Sequence, residues 1–126
     1  MSALTSAQAH PAKAREFLEA AEVNRELQLY NAATSNAVTS GINSKDAICL
    51  TLTGRTDKGD NHDEARAELR DAGPSGRALE PTLGRLLRLK PKAQHQQASV
   101  AGSDADKAVE WATRLFDGAQ EVVTCS

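Results

Sequence analysis

Aromatic side chains make up only 3% of this 126-residue chain, as Phe17, Tyr30, Trp111 and Phe116. So few rings exclude a surface that binds single strands by stacking base after base. They also leave the core to Ala, Leu, Val and Ile, within a hydrophobic fraction of 40%. Cysteine is equally scarce: Cys49 and Cys125 lie far apart and form no CxxC pair, which excludes a disulfide scaffold or a zinc ribbon. No apolar run approaches the roughly 18 residues of a membrane span. The opening MSALTSAQAHPAK lacks the basic-then-apolar order of a signal peptide, so a cytoplasmic protein without membrane association is expected. The net charge of -2 excludes a chain that is basic throughout.

Chemical motifs are sparse as well. Asp57, Asp60, Asp63 and Glu64 do not follow calcium-loop spacing and read as a solvated acidic turn. Gly54, Gly59, Gly73 and Gly76 are turn residues that form neither a GxGxxG nor a Walker loop. There is no Ser elbow, Cys–His pair or HExxH. No metal or cofactor is expected.

Helical periodicity is what the chain does contain. Residues 11–29 place Ala14, Phe17, Leu18 and Ala21 on one side, and Lys13, Arg15, Glu16, Glu19 and Glu22 on the other. Residues 31–52 carry a stripe of Ala33, Ala37, Gly41, Ser44, Ala47 and Ile48, small enough for close helix approach. Gly54 to Asn61 reads as a loop, and Asn61 with Glu64 as a cap for a short helix over 62–72. Leu79, Leu83, Leu86 and Leu87 define a further helix over 78–90, ended or kinked by Pro91, with an irregular stretch at 92–102. A cap-like Ser103–Asp106 pair opens the last helix, whose core stripe is Ala105, Ala108, Ala112, Leu115, Ala119 and Val122. Trp111 beside it reads as a core or dimer-interface residue. The expected fold is all-α: a single up-and-down helical bundle of four main helices plus one short helix over 11–123. A flexible N-terminus at 1–10 and a tail at 124–126 flank it.

Net charge conceals a division. Residues 77–95 hold Arg77, Arg85, Arg88, Lys90 and Lys92 against Glu80 alone, a local +4; residues 103–126 hold two cations against five acids, a local −3. Cations near a helix C-terminus complement its dipole, and a basic patch also attracts phosphate.

The ordered segments AREFLEAAEV (14–23), YNAATSNAV (30–38), KGDNHDEA (58–65), LGRLLRLKPKAQH (83–95) and SDADKAVEWATRLF (103–116) resemble the HEPN family, small helical bundles of prokaryotic nucleotide-related and toxin–antitoxin proteins. The resemblance spans roughly residues 12–123. It implies a homodimer and, in catalytic members, a metal-independent ribonuclease with an Arg-x(4–6)-His motif. There His moves the 2′-hydroxyl or leaving-group proton and Arg stabilises phosphate charge.

The matching stretch runs from Arg88 to His95 with six residues between, or from Lys90 to His95 with four. Lys lacks the bidentate fork of Arg, and Pro91 replaces the usual polar residue, so the motif is degenerate. Arg55 and His62 repeat the spacing of six in another loop and read as coincidence or an accessory polar patch. The expectation is a non-catalytic HEPN-like protein that binds a protein partner, nucleic acid or a nucleotide through the basic segment 85–95. Arg85, Arg88, Lys90 and Lys92 are its candidate contacts. The partners implied are RNA or a nucleotide, and a cognate antitoxin or nucleotidyltransferase-like protein. The alternative is a ribonuclease toxin using His95 with Arg88 or Lys90.

Overall fold

Six helices follow one another in the computed structural model, which describes residues 3–56, 61–94 and 100–125, with side chains from Pro11 onward. They are α1 (Ala3–Glu26), α2 (Tyr30–Thr53), α3 (His62–Asp71), α4 (Pro74–Leu87), α5 (Lys90–Gln94) and α6 (Gly102–Thr124). The all-α expectation holds, with no strand among the described residues. None of the described helices is long and apolar enough to cross a membrane.

Helix α2 is the hub. It packs on α1 and α6 most extensively, and on α3, α4 and α5 as well. The whole small-residue stripe, Ala33 through Ile48, is buried. Gly41 is required to be small: a Cβ there would meet Leu86 Cδ2 at 2.5 Å and Leu115 Cδ1 at 3.2 Å. Leucines of α4 and α6 thus close onto the backbone of α2, which replaces ring packing by close helix approach. Ser40 Oγ adds a buried tie by donating to the Ala14 carbonyl of α1 at 2.7 Å. The anticipated stripe of α6 is buried in full, and Trp111 is half-buried against the same core.

Several boundaries differ from those expected, each for a local reason. α1 begins at Ala3 and carries Pro11 inside it. It ends at Glu26 through a turn in which Gln28 takes φ 62. Gln28 N–H donates to Arg25 O and Leu29 N–H to Asn24 O, the paired bonds of a Schellman motif that usually employs glycine. α4 starts at Pro74, four residues before Ala78, because proline suits the first helical turn. It stops at Leu87, ahead of Pro91, and Pro91 then sits in the first turn of α5. Part of the stretch expected to be irregular is therefore helical.

The caps divide in the same way. Asn61 Oδ1 accepts the Glu64 N–H at 3.1 Å, as anticipated for the short helix. Ser103 does not cap α6. That helix starts at Gly102 with Ala101 as N-cap and no side-chain capping bond, since the Ala101 carbonyl already accepts from Asp104 and Ala105.

The α3–α4 hairpin closes where Gly76 faces Leu69. A Cβ on Gly76 would lie well inside van der Waals contact distance of the Leu69 carbonyl oxygen, and backbone cannot swing away as a side chain can. Gly76→Ala is expected to lower stability by about 2 kcal/mol or more, read as a fall in the urea midpoint at unchanged m value.

Candidate functional site

Two polar regions stand out from the apolar framework. The first is the outward face of α4. Arg77 and Arg85 are exposed, and so is Arg88, which forms the C-cap. At 3.6 residues per turn the three fall within an arc of about 80° along about 16 Å of helix. Among the described residues none of them has an ion-pair partner. The acid of this helix, Glu80, is engaged elsewhere: it accepts from Arg66 of α3 at 3.2 Å.

Residues beyond α4 are arranged differently. Lys90 is half-buried at the start of α5. Lys92 Nζ lies 2.8 Å from Asp104 Oδ2, which ties α5 to the first turn of α6 and holds the Asp104 carboxyl below its usual range. Gln94 Nε2 donates to Ser35 Oγ of α2 at 2.9 Å. Of the four anticipated contacts, Arg85 and Arg88 therefore share an exposed face, Lys90 lies past the break at 88–89, and Lys92 is occupied by Asp104. His95 lies outside the described residues. Arg77, counted earlier only as charge, belongs to the face.

The second region had no place in the expectations. Lys45 of α2 is buried, with 2% of its side chain exposed. Its Nζ contacts Glu68 Oε1 of α3, lies 3.1 Å from Asp46 Oδ1 and donates to Thr56 Oγ1 at 3.1 Å. The Thr56 hydroxyl lies 2.7 Å from Asp46 Oδ1 and 3.0 Å from Glu68 Oε1. The cluster joins α2, the segment after Gly54 and α3. Burial alone disfavours the ammonium, but hydrogen bonding to Glu68 and the charge of Asp46 outweigh it, so Lys45 holds its proton above the ordinary 10.5.

Beside the cluster opens a cleft of about 350 Å³ lined by Thr53, Arg55, Glu68, Asp71 and Ala72. Arg55 is thus part of a polar cleft, whereas His62 is the half-buried first residue of α3. Cys49 faces the same network. Burial pushes its thiol up to about 12, against the opposing charge of Lys45, so it is not a nucleophile near neutral pH. Among the described residues no three His, Cys, Asp or Glu side chains are grouped to hold a metal ion.

One signal could have revealed this cluster. Lys45 and Asp46 are the only charged residues in α2, and they are adjacent. An isolated charge pair inside a helix that is otherwise uncharged must be either exposed or paired.

A scan of the chain against protein-family models returned no match, and a search of curated proteins likewise returned none.

Removing Lys45 leaves Asp46 and Glu68 facing each other without their cation. Lys45→Met is expected to cost about 3 kcal/mol or more, measured by chemical denaturation, while Thr56→Val costs about 1–2 kcal/mol.

The pH response follows from the raised proton affinities. Cys49 and Lys45 both hold a proton more tightly when folded, so the unfolded chain releases first, the thiol from 9.0 and the ammonium from 10.5. The stability they support is intact at neutral pH and is lost as pH rises from 9.0 toward the folded value of about 12 for the thiol, and above 10.5 for the ammonium. The melting temperature should fall above pH 9.0, and Cys49→Ala should flatten the decline between 9.0 and 10.5.

Proposed function

We propose that this chain is a HEPN-like up-and-down bundle that binds RNA through the outward face of α4 without cleaving it. The observation that supports the reading is the row of Arg77, Arg85 and Arg88, exposed and without ion-pair partners among the described residues. Dipole complementation accounts for arginines at the end of a helix but not for Arg77, which sits in the first turn of α4, where a cation is disfavoured. Guanidinium groups suit phosphate because their planar fork makes two parallel hydrogen bonds. With few rings to stack bases, phosphate contact supplies most of the affinity, and sequence preference is weak.

The absence of cleavage rests on the degenerate motif. At the commoner spacing of four, Lys90 stands where the family has Arg and Pro91 where it has a polar residue; Arg88 matches only the longest spacing, six, and lies before the break that starts α5 at Lys90. Lys92 is held by Asp104.

Three phosphate contacts on a single strand give a slope of about −2 in a plot of log affinity against log salt. Labelled single-stranded RNA should bind this chain with such a slope, remain intact, and lose about tenfold or more in affinity with Arg85→Glu/Arg88→Glu. Salt-insensitive binding, or no change in that variant, would remove the reading. RNA cleavage abolished by His95→Ala would replace it with the ribonuclease alternative.

A further inference from the structure

The described part of the molecule exposes four large hydrophobic residues, and three of them share one corner. Val23 in the last turns of α1 is 54% exposed, and Leu27 and Leu29 in the turn after it are 63% and 51% exposed. The same helix carries exposed Glu16, Glu19, Glu22 and Glu26. None of these glutamates has an ion-pair partner among the described residues. The cations of this helix are Lys13 and Arg15, both exposed, with Arg15 stacked over the Phe116 ring 5.3 Å from its centroid, and half-buried Arg25, which lies 3.9 Å from Asp106.

Glu16, Glu19, Val23 and Glu26 follow each other at three, four and three residues, which sets them as a seam along one outward face of α1. The seam is straight for about 15 Å. At its end a cavity of about 430 Å³ is lined by Gln28, Leu29, Tyr30, Asn31, Ala32 and Val100. Its rim includes Gln28, which takes the left-handed conformation of the Schellman turn that ends α1. In most Schellman turns the hydrophobic residue at the place of Leu29 is folded back on the helix; here it is half exposed.

We infer that the α1 seam and the α1–α2 corner form a docking surface for a protein partner that presents a cationic amphipathic helix. Lysines or arginines at heptad spacing lie along Glu16, Glu19 and Glu26. An apolar side chain covers Val23, and a terminal apolar anchor enters the cavity beside Leu29 and Tyr30. The charge decides the occupant. Four glutamates would repel an acidic helix or a nucleic acid, and an apolar surface alone would not select against either. This surface is separate from the arginines of α4, so it stands whether or not those bind RNA.

The test uses the full chain with two synthetic helical peptides of equal hydrophobicity. One carries lysines at the heptad positions that face the seam, the other glutamates there, and binding is followed by fluorescence anisotropy. The lysine peptide should bind and the glutamate peptide should not. Its affinity should fall as salt is raised, and about tenfold in Glu19→Lys/Glu26→Lys and again in Leu27→Ser. Arg85→Glu/Arg88→Glu should bind it as wild type does, which separates this inference from the RNA reading. Circular dichroism of each variant checks that the helices are intact. Equal binding of the two peptides, no binding of the lysine peptide, or unchanged affinity in Glu19→Lys/Glu26→Lys would overturn the inference. So would a wild-type dimer in sedimentation that Leu27→Ser dissociates, because a second copy would then be the occupant.

Discussion

Lys45 is the constraint on which the closed bundle depends. A cation at that depth is tolerable only if carboxylates come to it, and they arrive from two directions: Asp46 from its own helix and Glu68 from α3. Thr56 supplies the hydroxyl that fills the remaining space between them. Because Glu68 belongs to α3, satisfying the lysine fixes how the α3–α4 hairpin lies on α2. That placement in turn sets Leu83, Leu86 and Leu87 into the core. An apolar pair at these positions would bury comparable surface without dictating one orientation. Breaking the cluster is what costs stability, because loss of one partner leaves the others buried and unpaired.

The second constraint is the thinness of α2. With Ala33, Ala37, Gly41, Ser44 and Ala47 turned inward, neighbouring helices approach until leucines touch the α2 backbone. A chain with so few rings cannot fill wide gaps, so it narrows them instead. Scarce aromatics and a small-residue stripe are two sides of one packing solution. Gly76 extends the same solution to the α3–α4 hairpin, at the cost of tolerating no side chain there.

The helical class and the buried faces of α1, α2, α4 and α6 were legible because they depend on periodicity, a local property. Ala14, Leu18, Ala112 and Leu115 lie where their spacing put them. The α4–α5 break lies ahead of the place that Pro91 marks as a terminator, because the chain turns at Arg88 and Leu89 and uses proline in the first turn of the next helix. Of the candidate site, the exposed arginines were visible as charge, but the diversion of Lys92 to Asp104 was not, since it depends on how α5 meets α6. The Lys45 cluster escaped for the same reason: Glu68 and Thr56 are distant in sequence from Asp46, and only the fold brings them together.

The two signs of charge sit on different helices, with exposed glutamates along α1 and exposed arginines along α4. α1 and α4 each pack against α2 and α6 rather than extensively against each other. Exposed charges further apart than the Debye length, about 8 Å at physiological salt, are largely screened from one another. Exposed charges so separated neither neutralise each other nor are felt by a distant ligand as one sum. Each face meets its surroundings with its own sign. An anion drawn to α4 gains little repulsion from α1, and a cationic helix on α1 need not compete with the arginines. The net charge of -2 is consequently a poor guide to what this protein attracts; the separation of signs on different helices is the informative quantity.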